Sequence, residues 1–174
     1  MPSLIERAAQ VRLMIFDVDG VLTDGGLYYD AQGEAIKRFN VMDGLGIRLL
    51  QQAGITTAII SARRSDIVAK RAADLGIQHV IQGRHDKLQA YQELCQTLHI
   101  SAAETGFIGD DVVDLSLLDV VGFPVAVANA HADLVARVVL QTKASGGNGA
   151  VREVCDLILK AQHKYDAYAA SQLK

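Results

Sequence analysis

The sequence predicts an α/β protein built on a doubly wound parallel sheet. Short apolar segments alternate with segments of helical periodicity along most of the chain, which is the pattern of repeated β-α units. Such units place successive strands in parallel and put helices on both faces of the sheet. The chain has 174 residues, and 50% of them are hydrophobic, so it can build a proper core. We therefore expect a single domain over residues 1–174.

The first predicted elements are a helix, a strand and a hairpin. Ser3 and Glu6 have the spacing of a capping box, which predicts a short N-terminal helix. The apolar run Val11–Phe16 predicts a buried strand. The segments Leu27–Tyr29 and Ala35–Phe39 flank turn residues and predict a β-hairpin, which is the one departure from β-α alternation.

The rest of the chain alternates strands and helices. The predicted strands are short, largely apolar runs: Ile55–Ile60, Gln78–Ile81, Gly106–Ile108, Val125–Val127 and Val138–Leu140. The predicted helices follow from capping residues and periodicity: Asp43–Ala53 with Asp43 as N-cap, a helix from Ser65 that ends before Gly76, Asp86–Leu98, Val112–Leu118, a short helix near His131, and Val151–Tyr165.

Composition excludes several classes of partner. The 17 Lys and Arg against 20 Asp and Glu give a net charge of −3, and aromatic residues make up 5% with no Trp. This balance argues against nucleic acid and against a membrane surface, and no apolar run is long enough to span a bilayer. Because the charged residues Glu6, Arg7 and Arg12 interrupt the N-terminal segment, we do not expect this segment to be a secretory signal. Cys95 and Cys155 are expected to be reduced thiols, and the expected compartment is the cytoplasm.

Acidic clusters follow two of the predicted strands. One is Asp17-Val18-Asp19-Gly20, and the other is Gly109-Asp110-Asp111-Val112-Val113-Asp114. Taken singly, the first cluster is explained as well by an ordinary acidic turn as by a functional site, and the second as well by an Asp-rich helix N-terminus as by a functional site. Ligands of parallel sheets bind beyond the carboxyl ends of the strands. Both clusters, together with Ser61, are therefore expected at one edge of the sheet.

Carboxylates that crowd together at this edge need a compensating charge. Like charges at close range raise one another's pKa, and a hard cation held by carboxylates, a carbonyl and water relieves the repulsion. This donor set indicates Mg²⁺, whereas His and Cys with zinc spacing are absent from the sequence. The five His residues are scattered and are expected to be structural or exposed.

Two further elements suit an anionic ligand. Ser61-Ala62-Arg63-Arg64 follows a buried strand, where a hydroxyl and backbone N–H groups can hold a phosphoryl oxygen. Lys87 stands at the start of a predicted helix, a position that the helix dipole makes mildly unfavourable for a cation. A simple capping loop and a solvated lysine are the alternatives that these residues leave open.

In this order, the four elements resemble the motifs of the haloacid dehalogenase superfamily of aspartyl phosphotransferases. The resemblance implies that Asp17 is the nucleophile and forms an aspartyl-phosphate. It implies that Asp19 protonates the leaving oxygen and then activates water. Ser61 and Lys87 would hold the transferring phosphoryl group. An acid at position 19 favours a phosphatase over a dehalogenase or a transport ATPase.

The same resemblance implies a metal site. Asp17, Asp110 and the backbone carbonyl of Asp19 would bind Mg²⁺. Asp111 or Asp114 would position Lys87 or a metal-bound water. The intervals between the motifs leave no room for a separate cap domain, so an open site is expected.

Further segments of the sequence resemble motifs of the family of 3-deoxy-D-manno-octulosonate 8-phosphate phosphatases. They are Thr23-Asp24-Gly25, Tyr29-Asp30 through Gly33-Glu34, Asn40 to Gly46, and Gly146 to Glu153. That family implies a Mg²⁺-dependent homotetramer that releases the free sugar acid for lipopolysaccharide synthesis. The chain departs from the family's pattern at Ala62, where glycine is common, and at Met42, where a basic residue is common.

Several alternatives stay open at this point. These motifs do not cleanly distinguish a phosphatase for the eight-carbon substrate from one for a nine-carbon keto-acid sugar 9-phosphate. A phospho-acceptor receiver module is a remote alternative to a phosphatase. Thr23, Arg63 and Arg64 are the candidate substrate contacts, and either arginine suits an anionic sugar acid. Gly146–Gly149 is expected to be a flexible loop or a substrate gate.

The apolar side chains of the predicted hairpin indicate that the protein is an oligomer. Leu27, Tyr28, Tyr29, Ile36 and Phe39 give it more apolar surface than a lone two-stranded ribbon can keep in water. We expect it to pair with other copies in a closed homotetramer. The polar tail beyond His163 is expected to be a mobile lid over a neighbouring site or a disordered terminus.

Overall fold

Six parallel strands form the central sheet in the computed structural model, which describes residues 2–166 of the chain. The strands of the sheet and of the hairpin are β1 (Leu13–Phe16), β2 (Tyr28–Asp30), β3 (Gly33–Ile36), β4 (Thr56–Ser61), β5 (His79–Gln82), β6 (Thr105–Gly109), β7 (Phe123–Ala126) and β8 (Leu140–Gln141). The order across the sheet is β5-β4-β1-β6-β7-β8. After β5 the chain returns to the other side of β1, so the topological switch point lies between β1 and β6.

Helices cover both faces of this sheet. They are α1 (Leu4–Gln10), α2 (Val41–Gln52), α3 (Asp66–Leu75), α4 (Lys87–Leu98), α5 (Leu115–Leu118), α6 (Ala132–Val135) and α7 (Ala150–Ala161), with a 3₁₀ turn at Val112–Asp114 before α5. Along β1, Met14 and Phe16 pack into a core with α1, α2, α3 and α7, whereas Leu13 and Ile15 pack into a second core with α4, α5 and α6. This alternation of side chains confirms the doubly wound architecture.

The hairpin of β2 and β3 is the insertion between β1 and α2, as the sequence predicts. Its strands pair antiparallel, and an isolated bridge between Thr23 and Phe39 closes its base. Tyr28, Tyr29 and Ile36 are exposed. Among the described residues between β1 and α2, this hairpin is the one regular element, so the site has no cap there.

Helix α2 begins at Val41, earlier than the sequence predicts. Asn40 is its N-cap, and its side chain accepts a backbone hydrogen bond from the first turn at 2.8 Å. The prediction of Asp43 as N-cap is wrong, because Asp43 lies inside the helix and is buried. Its carboxylate instead accepts backbone hydrogen bonds from Gly149 at 3.3 Å and Arg152 at 2.8 Å, and so it caps α7.

Two further predictions concern the cysteines and the membrane. Cys95 in α4 and Cys155 in α7 are free thiols. Within residues 2–166, no helix has both the length and the apolar character needed to cross a bilayer. Most of the polar tail beyond His163 lies outside the described residues.

Candidate active site

The register of the sheet brings three predicted site residues to one edge. Phe16, the last residue of β1, pairs with one residue of β4 and one of β6. Ser61 and Asp110 each stand two residues beyond that partner, and Asp17 directly follows Phe16. The three residues therefore lie at the carboxyl ends of adjacent strands, and Asp17 and Asp110 flank the switch point.

Lys87, the first residue of α4, joins two carboxylates in the interior of the site. Its Nζ lies 2.8 Å from Oδ1 of Asp17 and 2.6 Å from Oδ1 of Asp114, and all three side chains are buried. Burial alone lowers the pKa of Lys87, but the two carboxylates outweigh burial and raise that pKa above its ordinary value. Lys87 is therefore a fixed cation beside Asp17.

Asp114 organises the loop after β6. Its Oδ2 accepts hydrogen bonds from the backbone N–H of Asp110 at 2.9 Å and of Asp111 at 3.3 Å, while its Oδ1 binds Lys87. Asp111 is exposed and caps the 3₁₀ turn that follows it. Of the two acids predicted to position Lys87, Asp114 is thus the one in contact with it.

Three carboxylates converge beside Lys87. Asp17, Asp110 and Asp114 each place one oxygen within 4.8 Å of the others. Burial raises the pKa of Asp110 to about 8, and the charges of Asp17, Asp114 and Asp111 add to this shift. Burial also raises the pKa of Asp17 to about 6, although Lys87 opposes the rise. Since both oxygens of Asp114 are bound within the protein, Asp17 and Asp110 are the better placed to share a hard cation.

Two cations hold the carboxylate of Asp19. Lys37 Nζ forms an ion pair with Oδ1, and Arg63 Nε lies 3.5 Å from Oδ2. Arg63 also donates a hydrogen bond to the Tyr29 hydroxyl at 3.1 Å. Sequence reasoning misses Lys37, because Arg38 beside it carries the same charge in the same predicted strand. The structure distinguishes them, since Lys37 is buried and Arg38 is exposed.

The Gly146–Gly149 loop packs against the loop that follows β1. Gly147 N donates a hydrogen bond to the carbonyl of Val21 at 2.9 Å. A Cβ atom at Gly146 would lie 1.6 Å from the carbonyl oxygen of Gly20, so only glycine fits there. The glycines thus allow a close approach between two backbones, and their loop supports the segment that carries Asp17 and Asp19.

Comparison with known proteins assigns the chain to a family. A family model for haloacid dehalogenase-like hydrolases matches residues 73–154. The 3-deoxy-D-manno-octulosonate 8-phosphate phosphatase KdsC of Yersinia pestis is 50% identical over 163 residues, which are 94% of this chain and 87% of that protein. The chain belongs to the KdsC family.

Solved KdsC structures share the fold over nearly their whole length. The Yersinia pestis crystal structure has a TM-score of 0.92 and covers 94% of this chain and 88% of its own. The Moraxella catarrhalis enzyme, in complex with magnesium, phosphate and KDO, is 45% identical with a TM-score of 0.94 and covers 97% of both chains. A cobalt-bound Haemophilus influenzae enzyme is 44% identical with a TM-score of 0.93, covering 97% of this chain and 99% of its own. The predicted superfamily and fold class are confirmed.

The three residues predicted to contact the substrate lie in different surroundings in this KdsC-family site. Arg63 contacts Asp19, whereas Arg64 is exposed and packs beside Gly83. The Thr23 hydroxyl is buried inside the loop after β1, where it donates to the carbonyl of Val18 at 3.3 Å and accepts two backbone hydrogen bonds. Its contacts therefore hold the loop.

Proposed function

We propose that this chain is a Mg²⁺-dependent phosphatase that hydrolyses 3-deoxy-D-manno-octulosonate 8-phosphate to the free sugar acid and phosphate. The observation that carries the proposal is the cluster of the buried Asp17 and Lys87 with the half-buried Asp110 at the switch point of the sheet. The identity of 50% to KdsC of Yersinia pestis supports the choice of substrate.

Asp17 is the proposed nucleophile. Its carboxylate attacks phosphorus, and the bond between phosphorus and the sugar's oxygen breaks as the aspartyl-phosphate forms. Lys87 contacts Oδ1 of Asp17, favours the ionised form of this carboxylate against the effect of burial, and leaves Oδ2 for the attack. Lys87 also neutralises charge on the transferring group, since phosphoryl transfer depends on positioning and charge stabilisation.

The residues of the site fit Mg²⁺. Asp17 and Asp110 would hold the ion with the backbone carbonyl of Asp19, which makes an all-oxygen donor set. The raised pKa of Asp110 reflects repulsion that a bound cation relieves. When bound, Mg²⁺ would neutralise charge on the phosphoryl group and help to orient that group for attack by Asp17.

Asp19 is the proposed acid and base. It gives a proton to the leaving oxygen of the sugar and then takes a proton from the water that attacks the aspartyl-phosphate. Attack by that water breaks the bond between phosphorus and Asp17, releases phosphate and restores the nucleophile.

Residues around this centre are proposed to make the remaining contacts with the substrate and with water. We assign Ser61, which is buried at the end of β4, to a phosphoryl oxygen. Arg63 and Arg64 are the proposed partners of the substrate's carboxylate, and Thr23 acts indirectly by holding the loop after β1. Asp111 would orient water near the metal from the surface of the loop.

The organisation of the whole protein is also part of the proposal. Residues 1–174 form one domain, and the exposed apolar side chains of the hairpin pair with other copies in a cytoplasmic homotetramer. The tetramer covers the uncapped site from outside, and neither nucleic acid nor membrane is a partner.

A substrate panel tests the activity. We expect phosphate release from octulosonate 8-phosphate in the presence of MgCl₂, and none with excess EDTA. Nine-carbon keto-acid sugar 9-phosphates are the comparison, and a higher kcat/KM for them would replace the proposed substrate. Turnover that EDTA leaves unchanged would contradict the metal assignment, and phosphate trapped without turnover would indicate a receiver module.

A further inference from the structure

The hairpin carries a cation into the active site of its own chain. Lys37 directly follows β3, and its side chain is only 1% exposed although the hairpin beside it is largely in water. Its Nζ forms an ion pair with Oδ1 of Asp19. A lysine loses favourable hydration when it is buried, so a buried lysine needs partners that the fold holds in place.

The two oxygens of Asp19 are held unequally. Lys37 binds Oδ1 at hydrogen-bond distance from a position shielded from water. Arg63 approaches Oδ2 only to 3.5 Å, and its side chain is 43% exposed. A charge-assisted hydrogen bond shielded from water is stronger and better directed than an exposed contact at longer distance. Oδ1 is thus fixed, and Oδ2 is the oxygen that can exchange partners.

We propose that Lys37 is a positioning residue that holds Oδ1 of Asp19 so that Oδ2 faces the leaving group. This inference rests on the proposed function, in which Asp19 is the acid and base. In the first step the proton on Oδ2 moves to the leaving oxygen as its bond to phosphorus breaks. Lys37 then stabilises the carboxylate that remains, and the same oxygen later takes a proton from the attacking water.

Leaving groups of different basicity test this role. The sugar of octulosonate 8-phosphate leaves as an alkoxide unless it is protonated, whereas the nitrophenolate of p-nitrophenyl phosphate leaves without a proton. The parameter kcat/KM reports formation of the aspartyl-phosphate and excludes its later hydrolysis. Lys37→Met should lower kcat/KM about 10²-fold more for the sugar phosphate than for p-nitrophenyl phosphate, as expected when general acid catalysis is lost.

Three variants serve as controls. Lys37→Arg keeps the cation and should retain most of the sugar-phosphate activity. Lys70→Met removes an exposed lysine of α3 and should change neither substrate's kcat/KM. In an Asp19→Asn background, Lys37→Met should have little further effect on the sugar phosphate, because both changes remove the same proton transfer. Thermal unfolding of each variant verifies folding, and Lys37→Gln replaces Lys37→Met if the latter does not fold.

Three results would overturn the inference about Lys37 without affecting the proposed function. They are an equal loss of kcat/KM for both substrates in Lys37→Met, no loss for either substrate, and a full additional loss when Lys37→Met is made in the Asp19→Asn background. A wild-type protein that hydrolyses neither compound would overturn the proposed function and the inference with it.

Discussion

Asp17 combines burial, a negative charge and close contact with the cation Lys87. Its carboxylate is more than nine-tenths buried, and Lys87 and the shared metal ion are the charges proposed to offset the burial. A nucleophile in such a setting cannot be replaced by an uncharged isostere, because the amide neither attacks phosphorus nor forms an ion pair with Lys87.

Asp17→Asn should therefore abolish phosphate release, with a loss of at least about 10³-fold in kcat, while the protein stays folded. Phosphate release and circular dichroism measure the two effects. Asp66→Asn changes an exposed carboxylate of α3 and is the matched control. A folded Asp17→Asn protein with near wild-type turnover would show that another residue is the nucleophile.

At the scale of elements, α7 depends on a residue of α2. Asp43 accepts backbone hydrogen bonds from Gly149 and Arg152, so one buried carboxylate links α2 to the N-terminus of α7. Asp43→Ala should lower the free energy of unfolding by about 1–3 kcal/mol, because two backbone N–H groups lose their acceptor. Urea denaturation measures the change.

Asp66→Ala is the control for Asp43→Ala. Asp66 also lies in the first turn of a helix, but it is exposed, so a smaller loss is expected. Equal losses in the two variants would show that the link between α2 and α7 contributes nothing beyond an ordinary helix terminus.

The sequence predicts those elements and residues whose signals are local. Asp17 and Asp110 are predictable because acidic clusters directly follow apolar strands of a β-α pattern. The start of α2 is not, since Asn40 and Asp43 are both competent N-caps and only the packing of α7 assigns Asp43 elsewhere. Lys37 is not predictable either, because its burial depends on how the hairpin folds back over Asp19.

At the scale of the whole molecule, the acidic centre makes the stability of the metal-free protein depend on pH. Burial raises the pKa of Asp110 to about 8 and that of Asp17 to about 6. The folded protein therefore keeps protons that the unfolded chain has lost above about pH 4, and these groups lower its stability as pH rises toward about pH 8. Mg²⁺ requires the ionised carboxylates, so its stabilising effect should grow over the same range.

Thermal unfolding at about pH 5 and about pH 8, with excess EDTA or excess MgCl₂, tests this dependence. The increase in Tm on adding MgCl₂ should be larger at the higher pH. Asp110→Asn removes an acid whose pKa burial raises to about 8, so the metal-free Tm of this variant should fall less between the two pH values. A wild-type Mg²⁺ effect that is equal at both pH values would contradict the coupling.

The assembly is tested by sedimentation at micromolar concentration. Tyr29 is 62% exposed and Ile36 is 59% exposed on the hairpin, and burial of these side chains between copies should produce a homotetramer. A double variant, Leu27→Ser with Ile36→Ser, should shift the protein toward smaller species. A fully active wild-type monomer would show that the hairpin's apolar surface has another purpose.

The close packing of Gly146 on Gly20 has a consequence for how the protein is made. Because a ribosome synthesises the chain from its N-terminus, the segment after β1 is made long before the glycine loop that packs on it. β1 is also central, and its neighbour β6 begins only at Thr105. A nascent chain therefore cannot complete its catalytic centre until almost the whole sequence has been translated, and premature termination before residue 146 yields no native site.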